Sequence, residues 1–456
     1  MDVVHIEGKK FSVLGAARSG VAVAKLLKRH KAVVFVSDAA PAGKKQESVA
    51  ELDKAAIAYE TGGHTRKVLD ADVLVLSPGV PSDAPLVRDA KSKGLKIVSE
   101  VEVASWFCPS PIVAVTGTNG KTTTTTLLGR IFEDARKKSA VAGNIGTAFS
   151  EVVDQLDEQS TAILEISSFQ LDHIESFRPK VSIVLNITPD HLDRYEHSFD
   201  RYVASKCRIF ENQRKGDTVI YNWDDDVTRT NVEQRLGREV RALPFSINTT
   251  AKDGAFVARD RLKVRIDSEE LDLIDIHELT IKGQHNLYNA MAASLAATVM
   301  GIPTASLRAT LRNFKGVEHR LEFVREVNGV SYINDSKATN VDSVWYALQS
   351  FQSPLILLLG GRDKGNDYSR LLDLVRKHVK RIVAIGESAD KVVSAFKQTV
   401  PTEKASSMDE AVKVASKLAA KGDTVLLSPA CASFDWFENY EHRGRVFKDI
   451  VSRMQP

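Results

Sequence analysis

Short apolar runs alternate along the chain with longer stretches in which apolar positions recur every three to four residues. KFSVLGAARSGVAVAKLLKRHKAVVFVSD is the first full instance: a strand, a glycine turn, an amphipathic helix and a second strand ending at Asp38. Such alternation predicts βαβ units around parallel sheets. DVLVLSPGVP and KIVSEVEVA continue this unit to about residue 99. PIVAVTG, TAILEIS, VSIVLNIT and GDTVIYN read as strands separated by helical stretches, giving a middle domain that reaches residue 316. Within it, VARDRLKVRIDSEELDLIDIHEL is acidic and strand-like, which predicts a β-rich appendage. After GVEHRLEF, the runs SYINDS, PLILLLGG, RIVAIG and TVLLSPA alternate with helices to the end. The expectation is an α/β protein of three domains, at 1–99, 100–316 and 317–456.

Bulk properties narrow this picture. A chain of 456 residues exceeds the roughly 250–300 residues at which single cores stop growing. The 62 basic residues nearly balance 59 acidic ones, leaving +3, so no global charge favours nucleic acid as a partner. Cys108, Cys207 and Cys431 are odd in number and far apart, which argues against a disulfide framework or a zinc site. MDVVHIEGKKFSVLG carries charges where a signal peptide needs an apolar core, and no run approaches the ~18 apolar residues of a membrane span. A reduced, cytoplasmic protein without membrane insertion is expected.

The chemistry starts at VTGTNGKTTTT, between the apolar run IVA and the helical LLGRIF. The Gly-Lys-Thr corner is that of a phosphate loop, although Val115 stands where the usual spacing asks for glycine and the glycine comes at Gly117. Gly117 and Gly120 free backbone N–H groups to face a phosphate, and the following helix start adds unpaired donors. Lys121 can reach the β- and γ-phosphates, and Thr122 can offer its hydroxyl to Mg²⁺. This makes the middle sheet one of P-loop ATPase type, between a Rossmann-like N-terminal domain and a C-terminal Rossmann-like one.

Three further residues suit charged chemistry. Glu165 ends the run TAILE, and α/β sheets hold ligands at the carboxyl ends of their strands. His191 follows another strand, between Asp190 and Asp193, a mixture of ligands that suits magnesium. Lys206 in RYVASKCRIF lies on a predicted helix among Tyr202, Val203, Ile209 and Phe210. Burial there favours the neutral amine, and a neutral amine can add CO₂.

TGTNGKTT, NIGTAF, LEISSFQL, NITPDHLDRY, YVASKCRIF, KGQHNLYNA, EHRLEF, INDSKATN, LGGRDKG and LSPACASFDWFENYEHRG together resemble the muramyl (Mur) ligase superfamily, in that family's order over residues 115–445. The superfamily also includes folylpolyglutamate synthases. The resemblance implies that ATP drives the joining of a carboxylate to an amine through an acyl phosphate. The stretches are most similar to those of members that add D-glutamate to UDP-N-acetylmuramoyl-L-alanine in peptidoglycan synthesis. It implies a catalytic set of Lys121, Glu165, His191 and Lys206, with two Mg²⁺ ions held by Thr122, Glu165, His191 and a CO₂ adduct (carbamate) of Lys206. ATP would be bound by Gly117, Thr118, Asn119, Gly120, Lys121, Thr122 and Thr123, with Asn286, Asn289, Arg320 and Asp335. D-glutamate would meet Lys337, Thr339, Lys364, Ser433 and Tyr440. A monomer acting on small molecules is implied.

In the first domain GAARSG imitates the dinucleotide fingerprint, with Ala17 in place of its middle glycine. The resemblance assigns this domain to the sugar nucleotide instead, through Gly15, Arg18, Ser19, Asp38, Ser77, Pro78 and Gly79, with Asn144 and Ser167 from the middle domain. Some family members follow the strand-end Asp with Thr and Arg; here Ala39 and Ala40 stand there, and Arg18, Lys44 or Lys45 would have to compensate. Other readings are a ligase for a different amino acid, a folylpolyglutamate synthase, a non-catalytic nucleotide switch, or an NAD-dependent oxidoreductase argued from the first domain alone. The L-alanine-adding members typically have HGKT where this chain has NGKT, and the D-N-P-R signature of diaminoacid-adding members is missing.

Overall fold

The computed structural model describes residues 5–351, 353–363 and 365–455. Three sheets form, one in each expected domain. The first holds β1 (Lys10–Leu14), β2 (Val33–Asp38), β3 (Ala58–Thr61), β4 (Val73–Leu76) and β5 (Lys96–Ser99). They are all parallel, in the order β3-β2-β1-β4-β5. The chain reverses direction across the sheet between β1 and β4, and a crevice opens at that switch point. Both faces are covered: Phe11, Val13, Val34 and Val36 pack on one side, Leu14, Leu74 and Leu76 on the other. Helix Arg18–Arg29 packs closely on the turn after β1; a Cβ at Gly20 would lie 1.8 Å from the carbonyl oxygen of Gly15.

The central sheet has nine strands: β6 (Ile112–Thr116), β7 (Ser139–Gly143), β8 (Thr161–Glu165), β9 (Val181–Val184), β10 (Thr218–Asn222), β11 (Arg241–Ser246), β12 (Gly254–Ala258), β13 (Arg261–Ile266) and β14 (Glu269–Asp275). Their order is β14-β13-β12-β11-β10-β9-β6-β8-β7, parallel from β7 to β12 and antiparallel through β13 and β14. The acidic stretch therefore extends this same sheet as its edge hairpins. β6 sits between β8 and β9, so the loop after Thr116 emerges at a second switch point. Helix Lys121–Asp134 then begins with five threonines in sequence, poor helix formers because of their branched Cβ. It forms regardless because Thr122–Thr125 are buried against the sheet, where packing overrides propensity.

The third sheet contains β15 (Glu322–Val327), β16 (Val330–Asn334), β17 (Leu355–Gly360), β18 (Val379–Ile385), β19 (Thr402–Lys404) and β20 (Thr424–Leu427), ordered β15-β16-β20-β17-β18-β19. It is parallel apart from β15. Strand β17 shows why this sheet is covered on both sides: Leu355, Leu357 and Leu359 enter one core, Ile356 and Leu358 the other. By contacts the chain divides into two compact units: residues to Glu278 with Tyr288–Asn313, and Leu279–Leu287 with the residues from Phe314 onward. The first two sheets share the first unit. Among the described residues no helix is long and apolar enough to cross a membrane.

Within the first unit, the segment that follows β5 ties the two sheets together. KIVSEVEVA divides into β5 and the helix Glu100–Ser105. Glu102 on that helix is wholly buried and accepts hydrogen bonds from the backbone N–H groups of Glu175 (3.0 Å), Ser176 (2.9 Å) and Phe177 (2.8 Å) and from Trp106 Nε1 (2.8 Å). An amide at this position turns donors toward donors. Glu102→Gln is expected to lower the stability of this unit by about 2–4 kcal/mol, on the scale of hydrogen bonds to a buried charge, read as an earlier tryptophan-fluorescence transition in urea. An unchanged midpoint would mean that Glu102 does not fasten the two sheets.

Candidate active site

The loop after β6 is held by a dense set of hydrogen bonds. Gly120 adopts φ +86°, a left-handed conformation, and a Cβ there would approach Asn289 Oδ1 to 2.3 Å. Thr118 N donates to the Asn186 carbonyl (2.9 Å), Asn119 N donates to Asn186 Oδ1 (2.8 Å), and Asn186 Nδ2 donates back to the Asn119 carbonyl (3.0 Å). Thr118 Oγ1 donates to the Thr188 carbonyl (3.0 Å), accepts from Thr188 N (3.0 Å) and lies 3.2 Å from the Tyr202 hydroxyl. The loop is thus fastened to the chain that follows β9.

Two lysines converge on this loop. Lys121 Nζ donates to the carbonyls of Gly117 and Thr118, each at 2.8 Å. Lys206, from helix Phe199–Cys207, donates to the same Gly117 carbonyl at 2.8 Å, its Nζ 4.6 Å from the centre of the Tyr202 ring. Lys206 is 2% exposed. Burial pushes its ammonium well below the usual lysine range, and the charge of Lys121 adds to that effect.

Glu165 ends β8 in register with Val115 on β6, and is buried. Its Oε1 accepts from Asn144 Nδ2 at 2.9 Å, whereas its other oxygen is buried without a partner. An orphaned, buried carboxylate oxygen is costly unless a cation or donor completes it. Thr122 opens the neighbouring helix, 8% exposed. His191 occupies a left-handed conformation (φ +51°) that is rare for a residue with a side chain; its Nε2 lies 3.6 Å from Asp190 Oδ2 and its ring meets the edge of Phe169 at 5.3 Å. A hydroxyl, a carboxylate and an imidazole are donor types that a Mg²⁺ site can use, and the unpartnered Glu165 oxygen is the observation that favours a cation at that strand end.

A cavity of about 880 Å³ opens at the carboxyl ends of β1, β2 and β4. Of the residues expected to hold the sugar nucleotide, Gly15, Arg18, Ser19, Asp38, Ser77, Pro78, Gly79 and Asn144 all line it. Ser167 lies elsewhere: it caps helix Ser168–Leu171, where its hydroxyl and Gln170 satisfy each other in a capping box. Asn144 therefore faces the cavity and also bonds Glu165, linking the crevice to the phosphate loop's surroundings. Of the basic residues expected to compensate near Asp38, Lys45 lines the cavity and Lys44 does not.

In the second unit, Asn286 is buried and its amide donates to the Lys282 carbonyl at 2.9 Å. Asn289, on the same helix but in the first unit, lies against Gly120. Asp335 is completely buried after β16, where Ser428 Oγ donates to it (2.8 Å) and Arg320 stands 3.8 Å away. Burial pushes its carboxyl up to about 6. Lys337 Nζ lies 5.3 Å from the Tyr440 ring centre, Ser433 is buried nearby in sequence to Tyr440, and Thr339 N donates to the Lys337 carbonyl at 2.9 Å. Lys364 lies outside the described residues.

Sequence reasoning missed several organising residues. Arg443, buried, donates from Nε to Ser336 Oγ (2.9 Å), from Nη2 to the Ser336 carbonyl (2.8 Å) and from Nη1 to the Cys431 carbonyl (3.1 Å), joining the loops that carry Lys337 and Ser433. Its signal was present in the NYEHRG stretch. Asn186 and Tyr202 belong to NITPDH and YVASK, whose polar members invite a functional role for His191 and Lys206 and hide the residues that hold them. Glu318, His319 and Glu322 are close enough to hold a metal. The acids are engaged by Lys448, however, and Asn334 Nδ2 lies 2.9 Å from His319 Nδ1, which reads as a structural cluster.

Comparison with known proteins accords with this arrangement. Three family models match: the MurD N-terminal domain over residues 10–86, the Mur ligase middle domain over 115–297 and the Mur ligase glutamate ligase domain over 319–431. The UDP-N-acetylmuramoylalanine–D-glutamate ligase of Salinibacter ruber is 48% identical over 458 residues, covering 99% of each chain. The enzyme of the same name from Chloroherpeton thalassium is 45% identical over 464 residues, again 99% of each. Among solved structures, UDP-N-acetylmuramate-alanine ligase MurC from Thermotoga maritima shares the fold at a TM-score of 0.60 and 20% identity, covering 97% of this chain and 99% of that one. A pseudomurein peptide ligase type C from Methanothermus fervidus gives 0.61 at 19% identity, over 98% and 100%. On the strength of the full-length relatives and the domain models, the chain belongs to the Mur ligase family.

Proposed function

We propose that this protein is an ATP-dependent ligase that joins D-glutamate to UDP-N-acetylmuramoyl-L-alanine during peptidoglycan synthesis. The observation that carries the chemistry is the meeting of Lys121 and Lys206 at the Gly117 carbonyl of the glycine loop. The names of the full-length relatives support the choice of substrates.

In this reading the alanyl carboxylate attacks the γ-phosphorus of ATP, making an acyl–phosphate bond as the bond to ADP breaks. The D-glutamate amine then attacks the acyl carbon, an amide forms, phosphate leaves and the amine loses its proton. Two anions must meet in the first step, so the site has to neutralise charge. The chain's own part begins with the loop 117–123, whose N–H groups and Lys121 seat the triphosphate. Asn144 directs the substrate's carboxyl end from the cavity toward Glu165. Asn286 and Asn289 are assigned to adenine, Arg320 to the phosphates and Asp335 to ribose or ATP. Lys337, Thr339, Lys364, Ser433 and Tyr440 are assigned to D-glutamate, as cationic and hydroxyl donors for its carboxylates.

Burial keeps the Lys206 amine available in neutral form; it attacks CO₂, a C–N bond forms and a proton is released. The resulting carbamate keeps one N–H for the Gly117 carbonyl and exchanges a cation for an anion. Thr122, Glu165, His191 and that carbamate would hold two Mg²⁺ ions, which supply positive charge where the reacting anions meet. The functional domains are taken as 1–99 for the sugar nucleotide, 100–316 for ATP and 317–456 for the amino acid. A cytoplasmic monomer is the proposed form.

Phosphate release from ATP, Mg²⁺, UDP-N-acetylmuramoyl-L-alanine and D-glutamate is expected only when all four are present; turnover with D-glutamate omitted or replaced by L-alanine would contradict the substrate assignment. Lys121→Ala should lower kcat about 10²–10³-fold, the scale of one preorganised charged donor, and retention of most of kcat would remove its role at the phosphates. Lys206→Ala should lose activity that acetate or formate partly restores by supplying the missing carboxylate. Full activity of that variant without any added acid would eliminate the carbamate.

A further inference from the structure

The cavity at the ends of β1, β2 and β4 leaves one task without an owner. Asp38 stands where such folds often offer an acid to a nucleoside, and here both of its oxygens already hold partners. Its Oδ2 accepts from Ala16 N (2.6 Å) and pairs with Lys45 Nζ (3.1 Å), and its Oδ1 accepts from Ala40 N (2.7 Å). Ala39 and Ala40, which follow it, have no polar side chains.

The segment after β3 runs alongside. Gly62 N donates to the Ala40 carbonyl (2.9 Å) and Gly63 N to the Asp38 carbonyl (3.4 Å), and this brings His64, Thr65 and Arg66 to the cavity wall. His64 is exposed to the cavity but not loose. Ser37 Oγ lies 2.7 Å from its Nδ1 and donates to Glu60 Oε1, also at 2.7 Å. Burial would raise the Glu60 carboxyl, but hydrogen bonds from Thr65 and Ser37 outweigh it and hold the group below its usual range, so Glu60 only accepts. Thr65 fixes it further through its N–H (2.8 Å) and hydroxyl (2.6 Å). A serine hydroxyl has one proton, and this one goes to Glu60. The contact with His64 must then be Nδ1–H donating to Ser37 Oγ. In its uncharged form the ring is left with Nε2 as a bare acceptor.

We infer that His64, oriented by Ser37 and Glu60, reads the pyrimidine of the sugar nucleotide by accepting the N3–H of uracil on Nε2. The inference rests on the proposed reading of this cavity as the sugar-nucleotide site and adds the residue that selects the base. Cytosine presents a lone pair at N3, so two acceptors would face each other; a methyl group on N3 of uracil removes the donor altogether.

The test is calorimetric titration of the full-length protein with UDP, CDP and N3-methyl-UDP. Wild type should bind UDP about tenfold or more tightly than either analogue, the scale of one good hydrogen bond against an unmade one. His64→Ala should bring the three affinities to within about threefold of one another, and Ser37→Ala, which frees the ring to turn, should narrow the gap partway. Circular dichroism on both variants checks that the fold is kept; a base preference, unlike overall affinity, would not follow from a loosened structure. Equal binding of the three by wild type, or a His64→Ala variant that keeps the wild-type ratio, overturns the inference while leaving the cavity's assignment intact. If wild type binds no UDP, the assignment of the cavity falls, and the role of His64 with it.

Discussion

Two lysine nitrogens donating to a single backbone carbonyl are the constraint around which the phosphate loop of the central domain is organised. Like charges in a low-dielectric interior repel strongly, and one of these lysines is fully enclosed. The fold tolerates the arrangement because the loop is held from the other side by Asn186, Thr188 and Tyr202, so it cannot relax by moving away. What relieves it is chemistry: an anion from outside, or loss of the Lys206 charge. The proposed ligase activity uses both.

The same constraint explains the position of the other elements. β6 lies between β8 and β9, and this places the phosphate loop, the Glu165 strand end and the segment leading to His191 side by side. Asn144 joins the crevice of the first sheet to Glu165. Glu102 anchors the helix between the two sheets, so their relative setting is fixed inside one compact unit. A substrate spanning crevice and loop would therefore meet a preformed surface.

Much of this was legible in the chain. Strands buried on both faces read as continuous apolar runs, so β1, β6, β8, β17 and β20 were evident, as were the helix carrying Lys206 and the Gly-Lys-Thr turn. Less evident were β3, β7, β15 and β19, short or partly exposed strands whose polar residues blur the pattern. The acidic stretch read as an appendage is an extension of the central sheet, because hydrogen bonding to β11 is a long-range fact that local sequence does not record. The Ser167 hydroxyl, expected at substrate, also caps a helix, a second role that its spacing to Gln170 records. The burial of Asp335 depends on the strand next to it, a neighbour that local sequence does not record. His64 lay in an unremarkable GGHTRK and gains meaning only when β3 brings it beside Asp38.

The central claim is that the enclosed Lys206 amine takes up CO₂ and becomes an anion. Carbon-13 NMR of the protein equilibrated with ¹³C-bicarbonate tests it most directly, with Lys206→Arg as the control. A carbamate resonance in the wild-type protein that is missing from the variant is the predicted result. A fully active wild-type protein without that resonance would contradict the account.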